Sequence, residues 1–352
     1  MGCSDYFRGG NRIPWYVAGM SIFATMLSSI TFIAVPTQTY LADWRYYPMV
    51  ICIFAIAPIA IYYYLPFFCR LGITSAYEYL EKRFNLGVRL FGSAAFVVFM
   101  VCRVAVVTLL PAIALNAVTG VSIDACILIC GVLTMVYCSL GGLEAVIWSD
   151  FIQGLVMLVG IAAIIWAILA SKGGLAAALD GLARVPGPAM LPGGEPTPGI
   201  FTSFLGPDPL NLLFVVILTS LGTWGLPQMV QKFYAIKNEG SIKKGTIIST
   251  LFAFVVAGGC YFLGGFGRLF SDVLKVGPNG VPAGGFDAII PKMLEGLSPM
   301  LIALVVVLVL SASMSTLSSL VITQRHSFLW LSSIPLCKCT KSSLSIHLLV
   351  DM

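Results

Sequence analysis

Charge is what this chain has least of. Only 10% of its 352 residues are Asp, Glu, Lys or Arg, against roughly 25% in an ordinary soluble domain. That scarcity excludes a water-soluble globule of this size, which would need more charge to cover its surface. Histidine is scarcer still: His326 and His347 both lie near the C-terminal end, so no histidine-based metal centre or acid–base pair is expected. There is no nucleophile–base pairing, phosphate loop or zinc-type Cys/His spacing. Catalytic residues, a transition metal and an organic cofactor are therefore not expected, and the chain does not read as an enzyme. The net charge is +5, but the basic residues are scattered over loops, which excludes a nucleic-acid partner. Ten cysteines are present. Cys102, Cys126, Cys130, Cys138 and Cys260 lie inside apolar stretches and read as small hydrophobes, while Cys337 and Cys339 form a close pair in a polar tail.

What is abundant is apolar surface. The chain is 59% hydrophobic, with a mean hydropathy of +0.97, and reads as an all-α polytopic membrane protein whose solvent is the lipid bilayer. Eight stretches, at about 15–40, 46–68, 90–117, 123–140, 148–170, 210–230, 245–267 and 299–321, have about the length that a ~30 Å hydrocarbon core requires. The residues before the first span are mostly polar, and that span is too long for a signal-peptide core, so no cleaved leader is expected. Residues 74–84 are too charged to span and read as an amphipathic surface helix. With the N-terminus inside, most of the twenty Lys and Arg residues, Lys232 among them, fall on the inner side. The long loops at 172–208 and 268–298 then lie outside.

One stretch stands apart, S-I-F-A-T-M-L-S-S-I-T-F-I-A-V-P-T at 21–37. It is apolar enough for a bilayer, yet Thr25, Ser28, Ser29 and Thr31 sit at its centre and Pro36 near its end. Hydroxyls, small residues and a proline suit a helix that breaks at the midplane and turns freed carbonyls toward an ion. A second hydroxyl-rich patch, S-A-S-M-S-T-L-S-S-L at 311–320, lies inside the last span, and the two read as halves of one cation site. Five spans precede the loop at 172–208, so the sixth starts from the opposite face to the first, and T-S-L-G-T-W-G-L-P-Q at 219–228 gives it a break signal in the corresponding place. Paired interrupted helices in inverted halves point to a transporter site. The organisation expected is a polar lead-in at 1–14, a first repeat of helices 1–5 at 15–171, an outer loop at 172–208, a partial second repeat of helices 6–8 at 209–321, and an aberrant cytoplasmic tail at 322–352.

These segments, with Y-F-R-G-G at 6–10, I-T-S-A-Y-E-Y-L-E-K-R-F at 73–84, A-L-N-A-V-T-G at 114–120, Y-C-S-L-G-G-L-E-A-V-I-W-S-D-F-I-Q at 137–153 and W-G-L-P-Q-M-V-Q-K-F at 224–233, resemble the sodium/solute symporter family, near its prokaryotic proline, pantothenate and sialic-acid branches. The resemblance runs from about Tyr6 to Val321. It implies a leucine-transporter-type inverted-repeat fold, present here as helices 1 to 8 of the ten-helix core, because the family has a further helix before the first motif and at least two after span eight. It implies Na+ as coupling ion, bound by the carbonyls of Ala24, Leu27 and Ala312 and the hydroxyls of Ser315 and Thr316, oxygen ligands of the kind a hard cation favours. Small hydroxyl residues that merely let two helices pack closely would read the same way locally.

Asp150 is an acid at membrane depth, a functional candidate by default. The resemblance gives it a supporting role in sodium binding, and capping of a helix N-terminus is the plainer reading. Arg103 lies mid-span with no acid within helical reach and needs a partner. The resemblance implies a grip on a solute carboxylate, and a structural pair with a carbonyl or with Asp150 is the alternative. Ser28, Thr31, Ser220 and Thr223 would face the solute if both helices break, with Trp224 as a stacking wall or gate. The expected function is sodium-coupled symport of a small, carboxylate-bearing organic solute across a plasma membrane, the inner membrane of a prokaryote. The alternatives are a truncated symporter-like sensor module or a non-functional fragment.

Overall fold

The computed structural model describes residues 12–42, 44, 47–59, 63, 76–184, 209–226, 228, 229, 232, 235, 239–270, 274, 290, 292, 293 and 299–332. Helix dominates these residues: α1 (Trp15–Met26), α2 (Ser29–Ala42), α3 (Tyr47–Ile59), α4 (Ala76–Arg83), α5 (Leu86–Thr119), α6 (Ile123–Ser171), α7 (Leu175–Arg184), α8 (Pro209–Gly225), α9 (Glu239–Gly267) and α10 (Pro299–Ser332). Four helical stretches are long and apolar enough to cross a membrane, or five if α1 and α2 form one bent span. The expected spans two and six correspond to α3 and α8, whose 13 and 17 residues fall short of that length among the described residues. The outer surface of the long helices carries Phe91, Val98, Leu128, Ile152, Val159 and Trp166 exposed, a face that only lipid would wet without penalty.

Local sequence sets the helix ends and breaks. Asn85 caps α5 by accepting the Val88 N–H at 2.9 Å, and Gly120 closes it in the left-handed region with its N–H on Asn116 O. Expected spans four and five are the two helical halves of α6, which meet at Gly142, where the backbone leaves helical geometry with a φ of 60° and ψ of −158° that favour glycine. That kink turns Tyr137 and Cys138 before it, and Asp150 after it, toward the same neighbour: Tyr137 donates to Met314 O, Cys138 to Ser318 O, and Asp150 accepts from Ser318, all on α10. The charged surface helix expected at 74–84 is α4, tied to α5 by the Arg89–Glu81 ion pair. The loop expected at 172–208 contains α7, and its residues 185–208 lie outside the described set. The last helix runs on to Ser332 rather than ending near 321; residues 333–352 of the expected tail are outside the described residues.

α10 packs mainly on α6 and α5, and α9 mainly on α1 and α2. The larger apolar core lies where these meet, with Phe23, Met157, Ile161, Val256, Phe266 and Leu308 buried together. The glycines of α9 are what lets it sit so close. A Cβ on Gly264 would come within 2.2 Å of Pro36 O and 2.7 Å of Thr39 Cβ, atoms of the backbone and of a β-branched stem that cannot swing away. Gly264→Ala is therefore expected to force α9 off α2 and cost about 1–3 kcal/mol by overpacking, read as a lowered melting temperature of the detergent-solubilised protein; an unchanged melting temperature would count against this packing.

Candidate functional site

The interruption between α1 and α2 is chemically specific. The two halves are bent by 53°, and Leu27 is extended, with φ −98° and ψ 122°. In a continuous helix the Ser28 N–H would reach Ala24 O and the Thr31 N–H would reach Leu27 O. Instead the Ser28 N–H donates to Thr31 Oγ1 at 3.3 Å, and the Thr31 N–H to Ser28 O at 2.9 Å. The carbonyls of Ala24 and Leu27 are thereby released from the helical ladder while both residues stay buried.

α10 meets those carbonyls with hydroxyls. Ser315 Oγ lies 2.9 Å from Ala24 O and 3.0 Å from Ala312 O. Thr316 Oγ1 lies 3.4 Å from Leu27 O and 3.1 Å from Ala312 O. Each hydroxyl has one proton and lies between a freed carbonyl and Ala312 O, which also has its own ladder amide within α10. The five atoms expected from sequence, Ala24 O, Leu27 O, Ala312 O, Ser315 Oγ and Thr316 Oγ1, are thus gathered into one buried set with oxygens in excess of protons. Such a donor set fits a small hard cation.

A second polar set adjoins the first along the same two helices. Asp150, fully buried on α6, accepts from Ser21 Oγ (2.9 Å) and Lys232 Nζ (2.5 Å) through Oδ2, and from Ser318 Oγ (3.1 Å) through Oδ1. Lys232 Nζ also donates to Ser21 O at 3.2 Å and to Thr25 Oγ1 at close range. Thr25 Oγ1 and Ser319 Oγ are 2.9 Å apart, and Thr25 donates to Ser21 O at 3.0 Å. Asp150 lies eight residues past Gly142, where the second half of α6 begins, beyond the first turn that a cap serves, and its carboxylate is taken up by side chains rather than by helix-terminal amides. Lys232, placed by the charge count among inner-surface residues, is 1% exposed and is the ion-pair partner of Asp150. The sequence reading missed it. The available signal was a lysine one helical turn beyond Gln228 in W-G-L-P-Q-M-V-Q-K-F, and Gln228 is itself buried, with an Oε1 that has no partner among the described residues.

The residues expected at the solute pocket are only partly brought together. Ser28 and Thr31 flank the break, with Ser28 buried and Thr31 half-buried. Arg103 is half-buried in α5 and makes no hydrogen bond or ion pair with another described residue, so neither alternative pairing, with a carbonyl or with Asp150, is found among the described residues. One turn along α5 from Arg103, Val107 O accepts from Ser29 Oγ at 3.3 Å and Ser313 Oγ at 2.8 Å, which holds this face of α5 against the break. Ser220, Thr223 and Trp224 lie on α8, but their side chains fall outside the described residues.

Comparison with known proteins identifies the lineage. The profile described as Sodium:solute symporter family matches residues 6–329. The sodium/sialic acid symporter of Proteus mirabilis is 47% identical over 153 residues, 44% of this chain and 31% of that protein. Human sodium-coupled monocarboxylate transporter 1 is 36% identical over 176 residues, 50% of this chain and 29% of that protein. The human sodium/iodide cotransporter is 32% identical over 260 residues, 72% of this chain and 38% of that protein. The matched part thus spans less than two fifths of the length of these curated relatives. Among solved structures, a Na+-coupled sialic acid symporter in a substrate-bound, outward-open state superposes with a TM-score of 0.83 at 29% identity, covering 96% of this chain and 70% of that one. A nucleobase-cation-symport-1 family transporter, at TM-score 0.60 and 18% identity, shares the fold. The all-α, leucine-transporter-type architecture expected from sequence is the one found. Matched by the profile over nearly all its length, this multi-pass membrane chain belongs to the sodium:solute symporter family, a family of secondary transporters and not of enzymes.

Proposed function

We propose that the protein is a sodium-coupled symporter of a small, carboxylate-bearing organic solute, working in a plasma membrane, the inner membrane of a prokaryote. The observation that carries this reading is the meeting of the two carbonyls freed at the α1–α2 break with Ser315 and Thr316 of α10. Na+ as cargo would take the place of the two hydroxyl protons, which rotate away so that their oxygens coordinate alongside the carbonyls of Ala24, Leu27 and Ala312. Because those ligands come from the break and from α10, sodium draws the two together and favours whichever arrangement of the helices apposes them. Asp150 lends negative charge to the sodium's path from the adjoining polar set.

The solute pocket is assigned to the open side of the break, bounded by Ser28, Thr31 and Arg103, with Ser220, Thr223 and Trp224 of α8 contributing from across it. Arg103 has no anion among the described residues, and a guanidinium at that depth needs a partner. A solute carboxylate matches its fork. The relatives' names support an anion: sialic acid, monocarboxylates and iodide are all negatively charged at neutral pH. The first repeat at 15–171 and the second at 209–321 would then rock about this pair of sites to expose them alternately to each side. No structural observation favours the alternatives of a sensor module or an inactive fragment.

Two outcomes test this reading. Solute uptake into cells or proteoliposomes is expected to need Na+ and to fall about tenfold or more in Ser315→Ala and in Thr316→Ala, the cost of about 1.4 kcal/mol for a lost ligand; undiminished uptake in potassium buffer would overturn it. Arg103→Gln is expected to weaken uptake of a carboxylate-bearing solute by about 10- to 100-fold, the range of a lost charge-assisted hydrogen bond, with Arg103→Lys intermediate. Equal uptake by all three would remove Arg103 from the pocket.

A further inference from the structure

Lys232 has no counterpart in the sodium mechanism just described, yet it is among the most deeply buried side chains in the protein. Its ammonium has three N–H donors and three oxygens around it: Ser21 O, Thr25 Oγ1 and Asp150 Oδ2. A main-chain carbonyl, a hydroxyl and a carboxylate are the ligand types a hard monovalent cation takes. Further hydroxyls stand around this set, with Ser21 Oγ on Asp150 Oδ2, Ser318 Oγ on Oδ1, and Ser319 Oγ on Thr25 Oγ1. Ser21 and Thr25 belong to α1, the helix that presents Ala24 O, and Ser318 and Ser319 belong to α10, the helix that presents Ser315 and Thr316. The ammonium is therefore seated in an oxygen cage built from the same two helices as the proposed sodium cradle.

We infer that Lys232 is a tethered cation that competes with Na+ for the Asp150 carboxylate. This inference rests on the sodium-coupling reading above. Two positive charges drawing on one carboxylate in a site closed to water repel strongly, so the ammonium in the cage and Na+ in the adjoining cradle weaken each other's hold. Lysine suits the role: its charge is compact, and its four-carbon stem is flexible enough to withdraw and return without dismantling a helix. In the sodium-free protein Lys232 neutralises Asp150; arrival of Na+ displaces it. The residue thus sets how tightly sodium is held and keeps the emptied carrier's buried carboxylate paired.

The test is binding of radioactive Na+ to the purified full chain in lipid nanodiscs. Lys232→Met is expected to bind Na+ about tenfold more tightly than the unaltered protein. In an Asp150→Asn background the same substitution is expected to change nothing, because the carboxylate being competed for is gone. Unchanged or weaker binding in Lys232→Met, with binding abolished in Ser315→Ala, would overturn the competition and leave sodium coupling standing. Binding that persists unchanged in Ser315→Ala would overturn the sodium reading itself, and this inference with it. If Lys232→Met does not fold, the unaltered protein still decides: acylation of Lys232 by an amine-directed reagent, followed by mass spectrometry, is expected to rise severalfold in Na+ but not in N-methylglucamine. Labelling that is indifferent to Na+ would refute displacement.

Discussion

A peptide carbonyl in a water-poor interior must have a partner, and the break after Met26 leaves two such groups without the amides that a continuous helix would give them. Everything near the centre of the molecule answers that demand. Thr31 and Ser28 reuse each other's backbone and side chain to start α2, and α10 contributes hydroxyls where an ordinary apolar helix would present leucine. The spacing of Ala312, Ser315, Thr316 and Ser319 puts one hydroxyl-bearing stripe on a single helix face. A neutral hydroxyl satisfies a carbonyl only modestly, and each of these two is divided between a freed carbonyl and Ala312 O, which the helical ladder of α10 already serves. The arrangement is therefore closed but electrostatically incomplete, which is the condition in which a cation is welcome and a wet gap is not.

The charge pair beside it obeys a different balance. Desolvating a carboxylate and an ammonium costs several kcal/mol each, and their mutual attraction roughly repays it only when the remaining donors and acceptors are also met. Here they are: all three oxygens around Lys232 and both oxygens of Asp150 are engaged. Such a pair adds little net stability compared with apolar packing, so its presence in the middle of the molecule is better understood as a device than as a fastener.

How much of this was legible beforehand depends on range. The broken first span and the hydroxyl patch of α10 were visible because polar residues inside an apolar run stand out locally, although close helix packing would have read the same way, and both lie where the residues indicated. Lys232 was not: its partners are 82 and 211 residues away in sequence, and a lysine after an apolar run looks like the edge of a membrane. Gly141 and Gly142 read in sequence as part of the gap between two spans, and it is at Gly142 that the backbone of α6 leaves helical geometry. The extent of α10 was misjudged because hydropathy marks where lipid contact stops, whereas the backbone ladder continues past Val321 to Ser332. Ser220, Thr223 and Trp224 were chosen by analogy between repeats, and only the helix that bears them is described.

Val107 shows how such an interior tolerates change. Its carbonyl accepts hydroxyls from both Ser29 and Ser313, one on the broken helix and one on α10, and a carbonyl oxygen has room for two. Either serine alone keeps the atom satisfied. Mutational drift at one of the two positions is thus buffered by the other, and selection would act on the pair as a unit, so the two serines form a redundant latch that only a double loss opens.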